Sequence, residues 1–241
     1  MANITVRFIW FDLGYTLAYV NREEMYLEWL EENGISKAME ELVMAYHLAD
    51  KYFMREYPGA LGKKNKQVMH DYYRILNSYL HINSEDLSED SLTVGSSIIL
   101  EWRPFEETIS TLKKLKELGI GVGIISNWDE TARDVLEKTR ILSLMDEVVI
   151  SSELGIEKPD ERIFLHALEL IDIPASECLY VGDNYYDDVI GSRKVGMDSI
   201  LINPFDRKGI EELSDILKIS NIKELIPTLE LLMRERVKEE V

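Results

Sequence analysis

Cysteine occurs once in the 241 residues, at Cys178, so no intrachain disulfide can form and a disulfide-stapled scaffold is excluded. Positive charge is in deficit. Lys and Arg total 27 against 45 Asp and Glu, which leaves a formal net charge of −18. A body this acidic repels phosphate backbones and anionic lipid surfaces, so neither nucleic acid nor membrane is expected as the main partner. An anionic small substrate would have to be drawn in by a local cation or a bound metal, against the global field. No apolar run approaches the roughly 18 residues that crossing a bilayer takes. The opening Met1-Ala2-Asn3-Ile4-Thr5-Val6-Arg7 lacks the layout of a secretory signal. Internal repeats and low-complexity linkers are absent as well. A soluble, cytoplasmic protein is expected, and its 46% hydrophobic residues suffice for one sizeable core or two smaller ones.

What is present changes character along the chain. Phe8-Ile9-Trp10-Phe11 is a continuous apolar run that stops at Asp12, and similar short runs recur at Ile120 to Ile125, Val148 to Ile150, Leu179 to Val181 and Ile200 to Ile202. Short runs of this kind, rich in Val and Ile, read as strands buried on both faces of a parallel sheet. Between them lie helical patterns. Ile109, Leu112, Leu115 and Leu118 share one face of a helix over Glu106 to Leu118; Ile163, Phe164, Ala167, Leu168 and Ile171 do so over Asp160 to Ile171. Strand alternating with helix predicts an α/β fold with a doubly wound, mostly parallel sheet. From about Ala18 to Trp102 the strand signal disappears and helical spacing takes over, in Met25, Leu27 and Leu30, then Val43, Met44, His47 and Leu48, then Val68, Tyr72, Ile75, Leu76 and Tyr79. About four helices are expected there, inserted as a domain over 18–102 into an α/β domain formed by 1–17 and 103–241. The segment from Ile222 onward reads as a closing helix.

In an open parallel sheet, ligands bind beyond the carboxyl ends of the strands. Asp12, Ser126 and Asp183 each follow an apolar strand directly or within two positions, so parallel strands would bring them to one edge. Asp187 and Asp188 add carboxylates one helical turn after Asp183. Carboxylates crowded together repel one another unless something cationic sits between them. Oxygen ligands without His or Cys nearby suit a hard cation, Mg²⁺ first among them.

Four segments in order resemble the four motifs of the haloacid dehalogenase-like (HAD) hydrolase superfamily: Asp12-Leu13-Gly14-Tyr15-Thr16-Leu17; Ser126 closing Val122-Gly123-Ile124-Ile125, with Asn127 next; Lys158-Pro159-Asp160; and Gly182-Asp183 with Asp188. The resemblance spans the α/β portion, and the helical insert stands where such proteins carry a cap of the first type. It implies a Rossmann-like core and a Mg²⁺-dependent phosphomonoester hydrolase acting on a small phosphorylated metabolite. Asp12 would be the nucleophile, carrying an aspartyl-phosphate intermediate. Asp12, the main-chain carbonyl of Gly14, Asp183 and Asp188 would form the metal site. Ser126, with amides near Asn127, would hold phosphate oxygens, and Lys158 would bind the phosphoryl group and neutralise its charge.

Gly14 departs from the family pattern. Phosphatases of the superfamily usually carry a second aspartate there as general acid and base, a role worth about 10²–10⁴-fold. Two further readings therefore stand beside the phosphatase: a metal-independent 2-haloacid dehalogenase, and a phosphometabolite-binding protein with weak catalysis. Site residues also have plainer uses. Ser126 and Asn127 would serve as an N-cap for a helix starting near Glu130, and Asp187 reads as a solvated residue opening a helix. The four histidines read as surface or packed residues, and Cys178 as inert.

Overall fold

The computed structural model of the chain describes residues 6–62, 65–83 and 101–238. The chain divides into two compact units, one formed by Met1–Tyr19, Trp102–Arg207 and Glu212–Val241, the other by Val20–Glu101 and Lys208–Glu211.

The first unit is built on a six-stranded parallel sheet. Its strands are β1 (Phe8–Phe11), β4 (Gly121–Ser126), β5 (Glu147–Ile150), β6 (Cys178–Gly182), β7 (Asp198–Ile202) and β8 (Leu217–Ile219), in the order β5-β4-β1-β6-β7-β8. Two shorter strands, β2 (Ala18–Val20) and β3 (Trp102–Pro104), pair separately. The chain starts in the middle of the large sheet, builds outward to β5, then returns to the other side of β1 at β6. That reversal places the ends of β4 and β6 on either side of the end of β1. Phe11 pairs with Ile124 on one side and Val181 on the other.

Both faces of the sheet are covered, which is why β1 has no polar residue. Ile9 and Phe11 turn into a core shared with Leu112 and Leu115 of α4 (Thr108–Glu117), Leu136 of α5 (Ala132–Lys138) and Leu225 of α9 (Leu225–Lys238). Phe8 and Trp10 turn to the opposite face, against Ile163, Phe164 and Ala167 of α7 (Glu161–Ile171). Full burial of such side chains stabilises by about 1.5–3 kcal/mol each. Short helices α6 (Ser151–Leu154) and α8 (Ile190–Lys194) complete the unit, with a π-helical turn at Tyr185–Val189 leading into α8.

The second unit contains α1 (Arg22–Glu32), α2 (Met39–Glu56) and α3 (Lys66–Tyr79). Three helices thus stand among the described residues of the span where about four are expected; positions 84–100 lie outside the described residues. The unit's core is aromatic: Tyr26, Tyr46, Phe53, Tyr72 and Tyr73 pack with Leu30, Leu42 and Leu76. The buried face of α2 runs through Leu42, Ala45, Tyr46, Ala49 and Phe53, and Val43 is exposed. That face is displaced from the one the spacing of Val43, Met44, His47 and Leu48 suggests: His47 is buried, but Met44 and Leu48 are only partly so, because Tyr46 and Phe53 fill the core. Lys208–Glu211 belongs with this unit, where the Lys208 carbonyl lies 2.9 Å from His47 Nε2. Arg22 pairs with Asp50 and Glu23 inside the same unit.

Candidate active site

The carboxyl edge of the sheet gathers the polar residues in the α/β unit. Asp12 follows β1, with its amide donating to the Val181 carbonyl at 2.9 Å, so the strand pairing itself fixes where its side chain begins. Ser126 ends β4, and its Oγ donates to Asp12 Oδ1 at 2.9 Å. Lys158 Nζ donates to the same oxygen at 2.8 Å, to Asp188 Oδ1 at 2.6 Å and to the Tyr180 hydroxyl at 3.0 Å. Asp12, Asp183 and Asp188 each offer a carboxylate oxygen within 4.8 Å of the others.

Local structure explains how Asp188 reaches this edge. Asn184 caps the π-helical turn, its side chain accepting from the amides of Tyr186 and Asp187 at 3.0 and 3.3 Å. The amide of Asn184 in turn donates to Asp188 Oδ2 at 3.0 Å. π-Helical turns are rare and frequent at functional sites. Here the turn swings Asp188 back over the end of β6. A Cβ at position 182 would collide with the Asp188 carboxylate, so glycine is required there by close approach.

The electrostatics follow from burial and crowding. Three carboxylates against one ammonium leave two excess negative charges in a site whose lysine is 3% exposed. Burial alone would push Lys158 down, but the charges of Asp12 and Asp188 outweigh it and hold it well above the usual lysine value. Burial raises Asp188, and Lys158 opposes that rise. Asp187 is pushed up to about 7, first by burial and then by the neighbouring charge of Asp188. It is 7% exposed, which corrects the expectation of a solvated residue: the turn rotates it inward, where its Oδ2 accepts from Asn184 Nδ2 at 2.9 Å.

Ser126 and Asn127 do not cap the following helix. α5 begins later, at Ala132, behind Thr131. Instead, Asn127 binds the main chain of Lys158 at both its ends, accepting from Lys158 N at 2.7 Å and donating to Lys158 O at 2.9 Å. The amide of Trp128 donates to Ser151 Oγ at 3.1 Å, so that amide serves the loop. Tyr180 is the member of the cluster that sequence reasoning missed. Its hydroxyl donates to the Ile125 carbonyl at 2.8 Å and accepts from Lys158. A tyrosine in the middle of an otherwise apolar buried strand was the available signal. Burial pushes its phenol well above the usual value, keeping it neutral beside Lys158.

The side-chain direction at Gly14 leads to two indoles. A Cβ there would stand 3.5 Å from Trp128 Cζ3 and 3.6 Å from Trp102 Cη2, ordinary van der Waals distances. Tyr15, next in the chain, adopts φ 54°, a left-handed conformation that bulky residues rarely hold and that tends to cluster at functional sites. Cys178 is buried, and burial pushes its thiol up to about 12. No helix among the described residues is long and apolar enough to cross a membrane.

The sequence profile described as haloacid dehalogenase-like hydrolase matches residues 9–202. The chain is 28% identical over 211 residues to Haloacid dehalogenase-like hydrolase domain-containing protein 3 of Danio rerio, covering 84% of this chain and 87% of that relative. It is 35% identical over 138 residues to the glyceraldehyde 3-phosphate phosphatase of Methanothermobacter thermautotrophicus, covering 52% of this chain; the match spans 59% of that relative's length. The crystal structure of a HAD phosphatase from Thermococcus onnurineus shares the fold at a TM-score of 0.56 and 23% identity, over 92% of this chain and 97% of that one.

Proposed function

Because the chain belongs to the haloacid dehalogenase-like hydrolase family, we propose that it is a Mg²⁺-dependent phosphomonoester hydrolase of a small phosphorylated metabolite, with Asp12 as the nucleophile. The observation that carries this reading is the convergence on Asp12 Oδ1 of Lys158 Nζ at 2.8 Å and Ser126 Oγ at 2.9 Å, beside the carboxylates of Asp183 and Asp188. The likeness to a relative named as a phosphatase supports the same reaction class. Halide displacement at carbon would use Asp12 as nucleophile but needs no metal, so the retained carboxylates of Asp183 and Asp188 beside it favour the phosphatase reading.

The donor set suits Mg²⁺: all oxygens, mostly anionic, with excess negative charge to neutralise. Asp12, Asp183, Asp188 and the Gly14 carbonyl would hold the ion. When bound, it supplies neutralisation of the phosphoryl oxygens.

The remaining work belongs to the chain. With Oδ1 held by two donors, Asp12 attacks phosphorus through Oδ2, and the bond from phosphorus to the leaving oxygen breaks. Lys158 stays beside Asp12 and offsets the charge brought in by the phosphoryl group. Ser126 Oγ is placed to turn from Asp12 onto a phosphoryl oxygen. Water then attacks phosphorus, the bond to Asp12 breaks, and phosphate leaves with the carboxylate restored. Gly14 contributes no proton to the departing group, so esters with a well-stabilised leaving anion would turn over fastest. Acid quenching during turnover, followed by mass spectrometry, tests the scheme. A phosphate adduct is expected on the peptide containing Asp12 and not in Asp12→Asn; an adduct on another residue overturns the assignment.

A further inference from the structure

The phosphoryl-holding groups account for the charged end of a substrate and leave its other half to be received by a different surface. We propose that Trp102 and Trp128 form a platform for a flat, conjugated leaving group, which makes aryl phosphates the substrate class this site prefers. The proposal rests on the phosphatase reading of Asp12 and goes beyond it.

The two indoles meet edge to face, with centroids 4.6 Å apart and planes at 61°. Trp102 also packs against Tyr15, at 6.2 Å and 67°. Their orientation matters more than their contact. Trp128 Nε1 donates to Thr131 Oγ1 at 3.1 Å, and that hydroxyl donates to Asp129 Oδ1 at 2.6 Å. The polar end of Trp128 is therefore tied down, and its six-membered ring is the part turned to Gly14. Trp102 also presents its six-membered ring, through Cη2 and Cζ3. Both residues are partly exposed at the edge of the core they pack against, unlike the fully buried Trp10. Two residues after the nucleophile, the direction a side chain would take from position 14 thus leads onto aromatic carbon within van der Waals reach.

Such a surface discriminates by chemistry. A hydroxyl-rich leaving group placed there gives up hydrogen bonds to water and finds no ring partner to replace them. A planar conjugated group keeps its contact with the rings, because aromatic pairs gain from offset and edge-to-face packing. The same group departs as a delocalised anion, which suits a site with no proton donor at Gly14. Binding and departure therefore favour one class.

The test uses two phosphonates that cannot be hydrolysed, phenylphosphonate and methylphosphonate, titrated by calorimetry into the full chain with Mg²⁺. Phenylphosphonate is expected to bind about 10-fold more tightly, the size of effect that aromatic packing supports. Trp102→Ala and Trp128→Ala should each erode most of that ratio, while Trp102→Phe and Trp128→Phe keep most of it. Equal binding of the two ligands by the wild type, binding of neither, or a ratio that survives both alanine changes would overturn the platform. Hydrolysis of p-nitrophenyl phosphate by the same preparations separates the two levels. Discrimination without turnover keeps the platform and removes the hydrolase; turnover without discrimination does the reverse.

Discussion

Asn127 and Lys158, 31 positions apart in the chain, are joined by a reciprocal pair of hydrogen bonds: Lys158 N donates to Asn127 Oδ1 at 2.7 Å, and Asn127 Nδ2 donates to the Lys158 carbonyl at 2.9 Å. The amide side chain thus clamps the main chain that carries the only ammonium in contact with Asp12 among the described residues. Asn127 is a positioning residue. Asn127→Ala should lower kcat by about 10–100-fold with a smaller change in KM, the scale expected when a reacting group is displaced by about 1 Å. Steady-state kinetics on p-nitrophenyl phosphate check this, and Asn127→Asp, which keeps one acceptor, should recover part of the loss. An unchanged kcat in Asn127→Ala would remove the role.

Lys158 links Asp12 to Asp188, and Lys158 and Asp188 are themselves nearly closed to water. Removing one partner of a buried pair typically costs about 3–5 kcal/mol, because the remaining charge stays buried without compensation. Lys158→Met should lose that order of stability in urea unfolding, and added Mg²⁺ should restore more stability to the variant than to the wild type. A stability loss that Mg²⁺ leaves untouched would show that the carboxylates do not share a cation site.

Gly14 has room for a methyl group. A Cβ would rest at 3.5 and 3.6 Å from the two indoles, so Gly14→Ala should stay within about 1 kcal/mol of the wild type, as ordinary contacts allow. Gly14→Asp carries further atoms toward the rings and supplies a carboxyl group. It should raise the rate for alkyl phosphates relative to p-nitrophenyl phosphate by about 10-fold or more, the range a positioned acid supports. An unchanged ratio would mean that a water or another residue already protonates the leaving group.

His47 makes the helical unit pH-sensitive. Burial, chiefly, pushes its imidazole down from 6.5 to about 4. The unfolded chain therefore binds this proton at higher pH than the folded chain does. Stability is fully present above about pH 6.5 and is lost as pH falls toward 4. The contribution is about 3 kcal/mol. Carboxylates titrate over part of the same range, so the informative quantity is the difference between the wild type and His47→Gln. That difference in unfolding free energy should shrink between pH 7 and pH 4; a constant difference would refute the assignment.

The sequence carried most of the sheet and only part of the site. Strands buried on both faces are continuous apolar runs, so β1, β4, β5, β6 and β7 were legible to within a residue or two. β8 was not, because Leu217-Lys218-Ile219 is three residues at the sheet edge with a lysine in its middle. Asp12, Ser126 and Asp183 were legible as strand-end residues in a parallel sheet, a property of chain order. Roles set by contacts distant in sequence were not. Nothing local tells that Asn127 holds Lys158, that Tyr180 reaches Ile125, or that a π-helical turn buries Asp187. Likewise, the buried face of α2 depended on aromatics from α1 and α3 that spacing within α2 does not reveal.

The central claim is that Asp12 attacks phosphorus with the help of Mg²⁺. The most direct measurement is hydrolysis of p-nitrophenyl phosphate by metal-stripped protein, before and after Mg²⁺ is added, with Asp12→Asn as the control. The leaving group hardly needs a proton, so Gly14 does not mask an intact nucleophile. Turnover that requires Mg²⁺ and falls by about 10³-fold or more in a folded Asp12→Asn is the predicted result, the scale seen when a catalytic nucleophile is removed. Turnover indifferent to Mg²⁺, or equal in wild type and variant, would contradict the account.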